Sequence, residues 1–131
     1  EAAITCPQIR ACLPMNNCIA HPTIMMSTSV LKKYRYHEKQ LHSEDYDLWL
    51  RLVSDGIDIH KLNEPLLNHR IHTSSVTRSQ KQNVFLKIAF AKFRFAADAL
   101  KNGKLNAFVI KTVFYALLDS FKGLFKTIFS A

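Results

Sequence analysis

Positions 80–129 impose the strongest constraint on this chain, because apolar residues recur there at helical spacing with one turn signal between them. The first stretch, about 80–101, is apolar around most of its circumference, with Lys87, Arg94, Asp98 and Lys101 as a narrow polar stripe. "NGK" at 102–104 supplies the turn, since Gly103 can take the left-handed conformation that ends a helix. The second stretch, about 105–129, places Ile110, Val113, Phe114, Leu117, Phe121, Leu124, Phe125 and Ile128 on one face. Lys111, Asp119, Lys122 and Lys126 lie away from that face. A helical hairpin is expected here.

Charge divides the 131 residues at nearly the same place. Residues 1–77 hold eight Lys and Arg against eight Asp and Glu; residues 78–131 hold ten against two, so the second part carries the whole net charge of +8. All six His precede the division and all nine Phe follow it. The polar stretch "HTSSVTRSQ" reads as the link between a titratable part, 1–77, and a basic, Phe-rich two-helix tail, 78–131. Cys6, Cys12 and Cys18 lack the close pairing of a zinc site and read as ordinary thiols of a reducing compartment. The N-terminus has no secretory pattern, and Lys111, Asp119, Lys122 and Lys126 break the best candidate for a membrane span.

Within the first part, residues 1–17 read as loop with a short helical turn. "CIAHPTIMMSTSVL" suits a buried strand with Pro22 at its start or on an edge, and "KKYRYHEKQLHS" reads as loop. "EDYDLWLRLVSDG" reads as a three-turn helix with Ser43 as N-cap and Gly56 as its stop. Leu48 with Leu52, and Trp49 with Val53, give it two buried stripes, while Asp47 and Arg51 are expected as a solvent-side pair. "IDIHKL" alternates as a half-buried strand should, and "PLLNHRIH" is a second strand candidate.

The order "NCIAHPTIMMSTSVLKK", then "EDYDLWLRLVSDGIDIHKLNEPLLNHRIHTSSVT", resembles the second half of a GT-A-fold, family 2 glycosyltransferase. The resemblance covers roughly residues 16–77 and rests on three pieces in register, including "EDYDLWLR". It implies an α/β, Rossmann-like catalytic domain, of which this chain is the C-terminal portion, followed by the helical hairpin. In this family the Asp of the Glu-Asp pair removes the acceptor hydroxyl's proton during inverting sugar transfer, a role that falls to Asp45. Asp45 would sit in a first helical turn, where free N–H groups and the helix dipole favour negative charge. Glu44 would orient the acceptor or support the loop. Acidic residues at a helix start also have a purely structural use, complementing the dipole.

The same resemblance carries a role in holding the divalent metal, Mn or Mg, to His72 of "NHRIH". Arg70 would neutralise phosphate, as its planar fork suits that anion. His21 would line the acceptor pocket or serve only structure. His69 stands where the family often has Tyr. Trp49 is read as core rather than sugar platform, and His37, His42 and His60 receive no role. The nucleotide-binding half, with its Asp-x-Asp motif, is missing: no such motif precedes Glu44, and "DGID" at 55–58 is out of order. Most of the metal and donor binding would therefore lie in that missing N-terminal half, leaving the isolated chain incomplete and inactive.

The implied partners are a nucleotide-sugar donor and a glycan or lipid-linked acceptor, with no nucleic acid. The implied placement is cytoplasmic, with peripheral contact on the inner face of the cell membrane through 105–129 as one option. The tail could instead pack on the core or bind another macromolecule. The rival to an enzyme is a non-catalytic basic amphipathic module that docks on a membrane or a partner protein.

Overall fold

The computed structural model describes residues 5–38, 40, 43–68, 70 and 84–129. Helix α1 spans Cys6–Cys12, a 3₁₀ turn His21–Thr23, and α2 Thr28–Tyr34. They are followed by α3, Glu44–Ser54, α4, Val84–Lys101, and α5, Ala107–Phe129. No strand occurs among the described residues, which overturns the expected α/β, Rossmann-like GT-A architecture.

Local chemistry explains each departure. Cys6–Cys12, where a loop with a short helical turn is expected, form α1 because Thr5 and Gln8 make a capping box. The Thr5 hydroxyl accepts from the Gln8 N–H at 3.4 Å, and Gln8 Oε1 accepts from the Thr5 N–H at 3.1 Å. Pro7 occupies the first turn, where its missing N–H does no harm. The strand expected over 18–31 yields to a 3₁₀ turn around Pro22 and then to α2, capped by Ser27 accepting from the Val30 N–H at 3.4 Å. In "IDIHKL", Ile57 and Ile59 rest against the core while Asp58 and His60 are exposed. The alternation is as expected. A strand also needs a neighbour's N–H and C=O groups, and the described residues offer none to pair with it. The described part of "PLLNHRIH", 65–68 and Arg70, is likewise unpaired coil, and its other residues lie outside those described.

Helix α3 ends as expected. Gly56 has φ +79°, and the Ile57 N–H reaches back to the Leu52 carbonyl at 2.9 Å. Gly103 closes α4 in the same way, with φ +68° and the Lys104 N–H on the Ala99 carbonyl at 2.8 Å. Ser43 stands at the N-cap of α3, but its hydroxyl accepts from Gln40 Nε2 at 2.6 Å instead of a helix N–H.

One core joins α1, α3, α4 and α5, with Ile9, Leu13, Leu48, Trp49, Leu50, Phe95 and Val109 all buried. The Tyr46 hydroxyl donates to the Leu13 carbonyl at 2.5 Å, and Arg10 donates to the Val53 carbonyl at 2.6 Å. Asp47 and Arg51 do pair, at 2.9 Å, yet not on a solvent face: Asp47 is 0 % exposed. Arg51 also reaches the carbonyls of Tyr34 and Arg35, which locks α2 onto α3.

Beyond the edge-on Phe95–Phe108 contact near the turn, with centroids 6.0 Å apart, the hairpin packs largely through small and polar residues. Ala89, Ala91, Lys92, Ala96 and Ala99 of α4 are buried, as are Thr112, Ala116, Asp119 and Gly123 of α5. A Cβ on Gly123 would lie 2.7 Å from Leu86 Cδ2 and 3.3 Å from the Leu86 backbone N, so only glycine permits this approach. Gly123→Val is expected to lower stability by about 2–3 kcal/mol through overpacking, read as a lowered urea midpoint. An unchanged midpoint would mean that the helices separate there freely. Because α5 docks through this stripe, its opposite, apolar face stays outside: Ile110, Phe114, Leu117, Phe121, Leu124, Phe125 and Ile128 are 55–70 % exposed.

Candidate active site

Two carboxylates of the α3 first turn define the candidate site. Asp45 is half-buried, and each of its oxygens accepts one hydrogen bond. Oδ1 accepts from the Tyr46 N–H at 2.7 Å and Oδ2 from Asn17 Nδ2 at 3.2 Å. Asn17 is itself oriented, because its Oδ1 accepts from the Ile19 N–H at 3.2 Å. That contact leaves the amide N–H₂ directed at Asp45. A carboxylate held in this way is fixed in direction yet keeps lone pairs for a further proton.

Glu44 lies beside it with a buried Oε2 that has no hydrogen-bond partner among the described residues. The Trp49 indole N–H, one turn further along α3, is buried and unpartnered in the same sense. Trp49 is core, at 1 % exposure, as its spacing with Val53 implies. His21 sits exposed on the 3₁₀ turn, its ring edge-on to Trp49 with centroids 6.4 Å apart. Its Nε2 shares a hydrogen bond with the Tyr36 hydroxyl at 3.0 Å. Burial raises the Tyr36 phenol above its ordinary pKa, and the charges of Asp45 and Glu44 add to this, so Tyr36 remains a neutral donor near both carboxylates.

The structure thus brings Asp45, Glu44 and His21 together with Asn17 and Tyr36. The last two escaped sequence reasoning: Asn17 read as the end of the N-terminal loop, and Tyr36 as part of a polar loop without period. Arg70 is exposed coil, and no hydrogen bond among the described residues joins it to Asp45 or Glu44. His72, His69 and His42 lie outside the described residues. No three His, Cys, Asp or Glu side chains converge as a metal shell among the described residues. The metal role expected of His72 falls on a residue outside those described.

Other polar groups have structural duties. His37 faces Arg94 at 3.1 Å, Asp47 at 3.7 Å and Asp98 at 3.9 Å, tying the end of α2 to α3 and α4. Burial is the main influence on Asp47 and raises its carboxyl pKa, against the opposing pull of Arg51 and His37. The three cysteines are free thiols, and burial together with the adjacent Cys12 pushes Cys18 up to about 12. A shallow depression of about 430 Å³ lined by Lys33, Tyr34, Asp55, Lys104 and Asn106 opens at the C-terminal end of α3, away from Asp45. Two of its charged groups pair with each other, Lys104 with Asp55 at 2.6 Å.

The proteins this chain resembles are glycosyltransferases by name. The "O-antigen biosynthesis glycosyltransferase WbnJ" of Escherichia coli is 45% identical over 74 residues, 55% of this chain and 29% of that protein. The "Uncharacterized glycosyltransferase MJ1057" of Methanocaldococcus jannaschii is 29% identical over 100 residues, 75% of this chain and 33% of that protein. The chain spans about a third of the length of these curated relatives. No family model matches it, and no solved structure does.

Proposed function

We propose that this chain is the acceptor-side part of an inverting, family 2-type glycosyltransferase, moving a sugar from a nucleotide-sugar to a glycan or lipid-linked acceptor. One observation carries the reading: a Glu-Asp pair opens α3, with Asp45 aimed by Asn17 and Glu44 holding a buried Oε2 that has no hydrogen-bond partner among the described residues. Similarity to named glycosyltransferases supports it, and the O-antigen assignment of one relative suggests cell-envelope polysaccharide as the setting.

Asp45 is the general base. The acceptor hydroxyl donates to its carboxylate, and as the acceptor oxygen bonds the anomeric carbon, the proton passes to Asp45. The bond from that carbon to the donor diphosphate breaks, and the nucleoside diphosphate leaves with its electron pair. Glu44 accepts from a second acceptor hydroxyl and orients the sugar. Donor and metal binding are assigned to none of the described residues.

The test supplies the native protein with a panel of nucleotide-sugars and lipid-linked oligosaccharide acceptors. Acceptor-dependent release of nucleoside diphosphate is expected with at least one donor. No release with any donor sinks the reading and favours a non-catalytic docking module.

A further inference from the structure

The apolar face of α5 is exposed even though the helix is fully engaged on its other side. Thr112, Ala116, Asp119 and Gly123 are buried, with Asp119 on Lys92 and Gly123 against Leu86 of α4, and Ile110, Phe114, Leu117, Phe121, Leu124, Phe125 and Ile128 are exposed on the opposite side. At 1.5 Å per residue this face is a flat stripe roughly 30 Å long. On α4, Phe90, Leu86 and Leu100 are exposed as well. A patch of this kind marks an interaction surface.

Charge selects the occupant. Lys122 and Lys126 are exposed and follow one edge of the α5 stripe in helical projection, Lys111 on the same edge donates to the Ala11 carbonyl at 3.1 Å, and Lys101 is exposed on α4. From Val84 to Phe129 there are eight basic residues and two acidic ones. Neither acidic group belongs to the exposed apolar face: Asp119 pairs with Lys92 at 2.6 Å, and Asp98 lies 3.9 Å from His37. Two copies joined face to face would bring these lysine edges together, which disfavours self-association through the stripe. No helix among the described residues is long and apolar enough to cross a membrane. A broad apolar face edged by lysines is instead the pattern of a helix lying in a lipid interface, its apolar side in the acyl boundary and its cations among the headgroups.

We infer that the α4–α5 hairpin docks on an anionic lipid surface through the exposed Ile110–Phe129 face of α5, with Lys122 and Lys126 contacting the headgroups. The inference stands whether or not the chain transfers sugar. The native protein is floated with vesicles of phosphatidylcholine alone and of phosphatidylcholine with phosphatidylglycerol. Binding is expected only when phosphatidylglycerol is present, and it should weaken as salt rises. Phe121→Ser with Phe125→Ser touches exposed positions, so the fold survives, and partition should fall about tenfold or more. Light scattering without lipid supplies the second readout. Three results overturn the inference: no difference between the two vesicle types, unchanged binding by the double variant, or a stable dimer that the double variant splits. The last would assign the face to a second copy.

Discussion

Asp45→Asn is expected to lower the turnover number for sugar transfer by about 10³-fold, the usual contribution of a positioned general base. The substitution keeps shape and removes basicity. Its amide oxygen can still accept from the Tyr46 N–H, now at 2.7 Å from Asp45 Oδ1. Its amide nitrogen would meet the Asn17 donor that now serves Oδ2, so one half-buried hydrogen bond is lost. That loss is worth about 1 kcal/mol, too little to unfold the protein. A circular dichroism melt beside the rate measurement separates the two effects. Glu44→Gln should behave differently, raising the acceptor KM more than it lowers kcat, because Glu44 orients and does not take the proton. Retention of more than a tenth of the turnover by Asp45→Asn would remove Asp45 from the role of base. The acidic pair would then be no more than a complement to the dipole of α3.

What could be seen in advance depended on how far apart the cooperating residues lie. Helices α3, α4 and α5 were legible because each carries its own period and its own stop, Gly56 and Gly103 among them. Of α1 only a short helical turn was legible, and α2 reads in sequence as strand and loop, since seven residues make only about two turns and these segments owe their form to Thr5, Gln8 and Ser27. The i,i+4 spacing of Asp47 and Arg51 gave the pair correctly, but its burial comes from His37 and the end of α2, which no local pattern reveals. Strand reading failed for a related reason. Alternation reports which side chains face inward, whereas a sheet needs a second backbone. At the candidate site, Asp45 and Glu44 were found through a contiguous motif. Asn17, 28 residues before Asp45, became visible only in three dimensions. The apolar face of α5 was legible as a face. That it points outward was not, because the opposite stripe of Thr112, Ala116, Asp119 and Gly123 looks unpromising as a packing surface until Leu86 is seen against Gly123.

Lys92 is the clearest residue that periodicity could not place, and its pair with Asp119 yields the second large effect. Lys92 is 0 % exposed; its ammonium donates to Asp119 at 2.6 Å and to the Met15 carbonyl at 3.1 Å, with the rings of Tyr46 and Tyr115 5.9 and 5.7 Å away. One side chain thus links α4 to α5, to the loop after α1 and to α3. Asp119→Ala strands that buried cation, and the expected loss of stability at pH 7 is about 3–5 kcal/mol. The pH dependence carries a definite sign. Burial draws the Lys92 pKa below its ordinary 10.5, so between the folded and unfolded values the unfolded chain binds more protons. Stability from this group therefore rises as pH climbs through the window below 10.5. Without Asp119 the folded-state pKa falls further, the window widens, and the deficit of Asp119→Ala should shrink as pH rises from neutral. Urea unfolding at several pH values measures this directly. Replacing both partners with apolar residues, Lys92→Met with Asp119→Leu, should recover most of the loss, because the desolvation penalty goes with the charges. A deficit below about 1 kcal/mol for Asp119→Ala, or one that grows with pH, would show that the hairpin is not held by this pair.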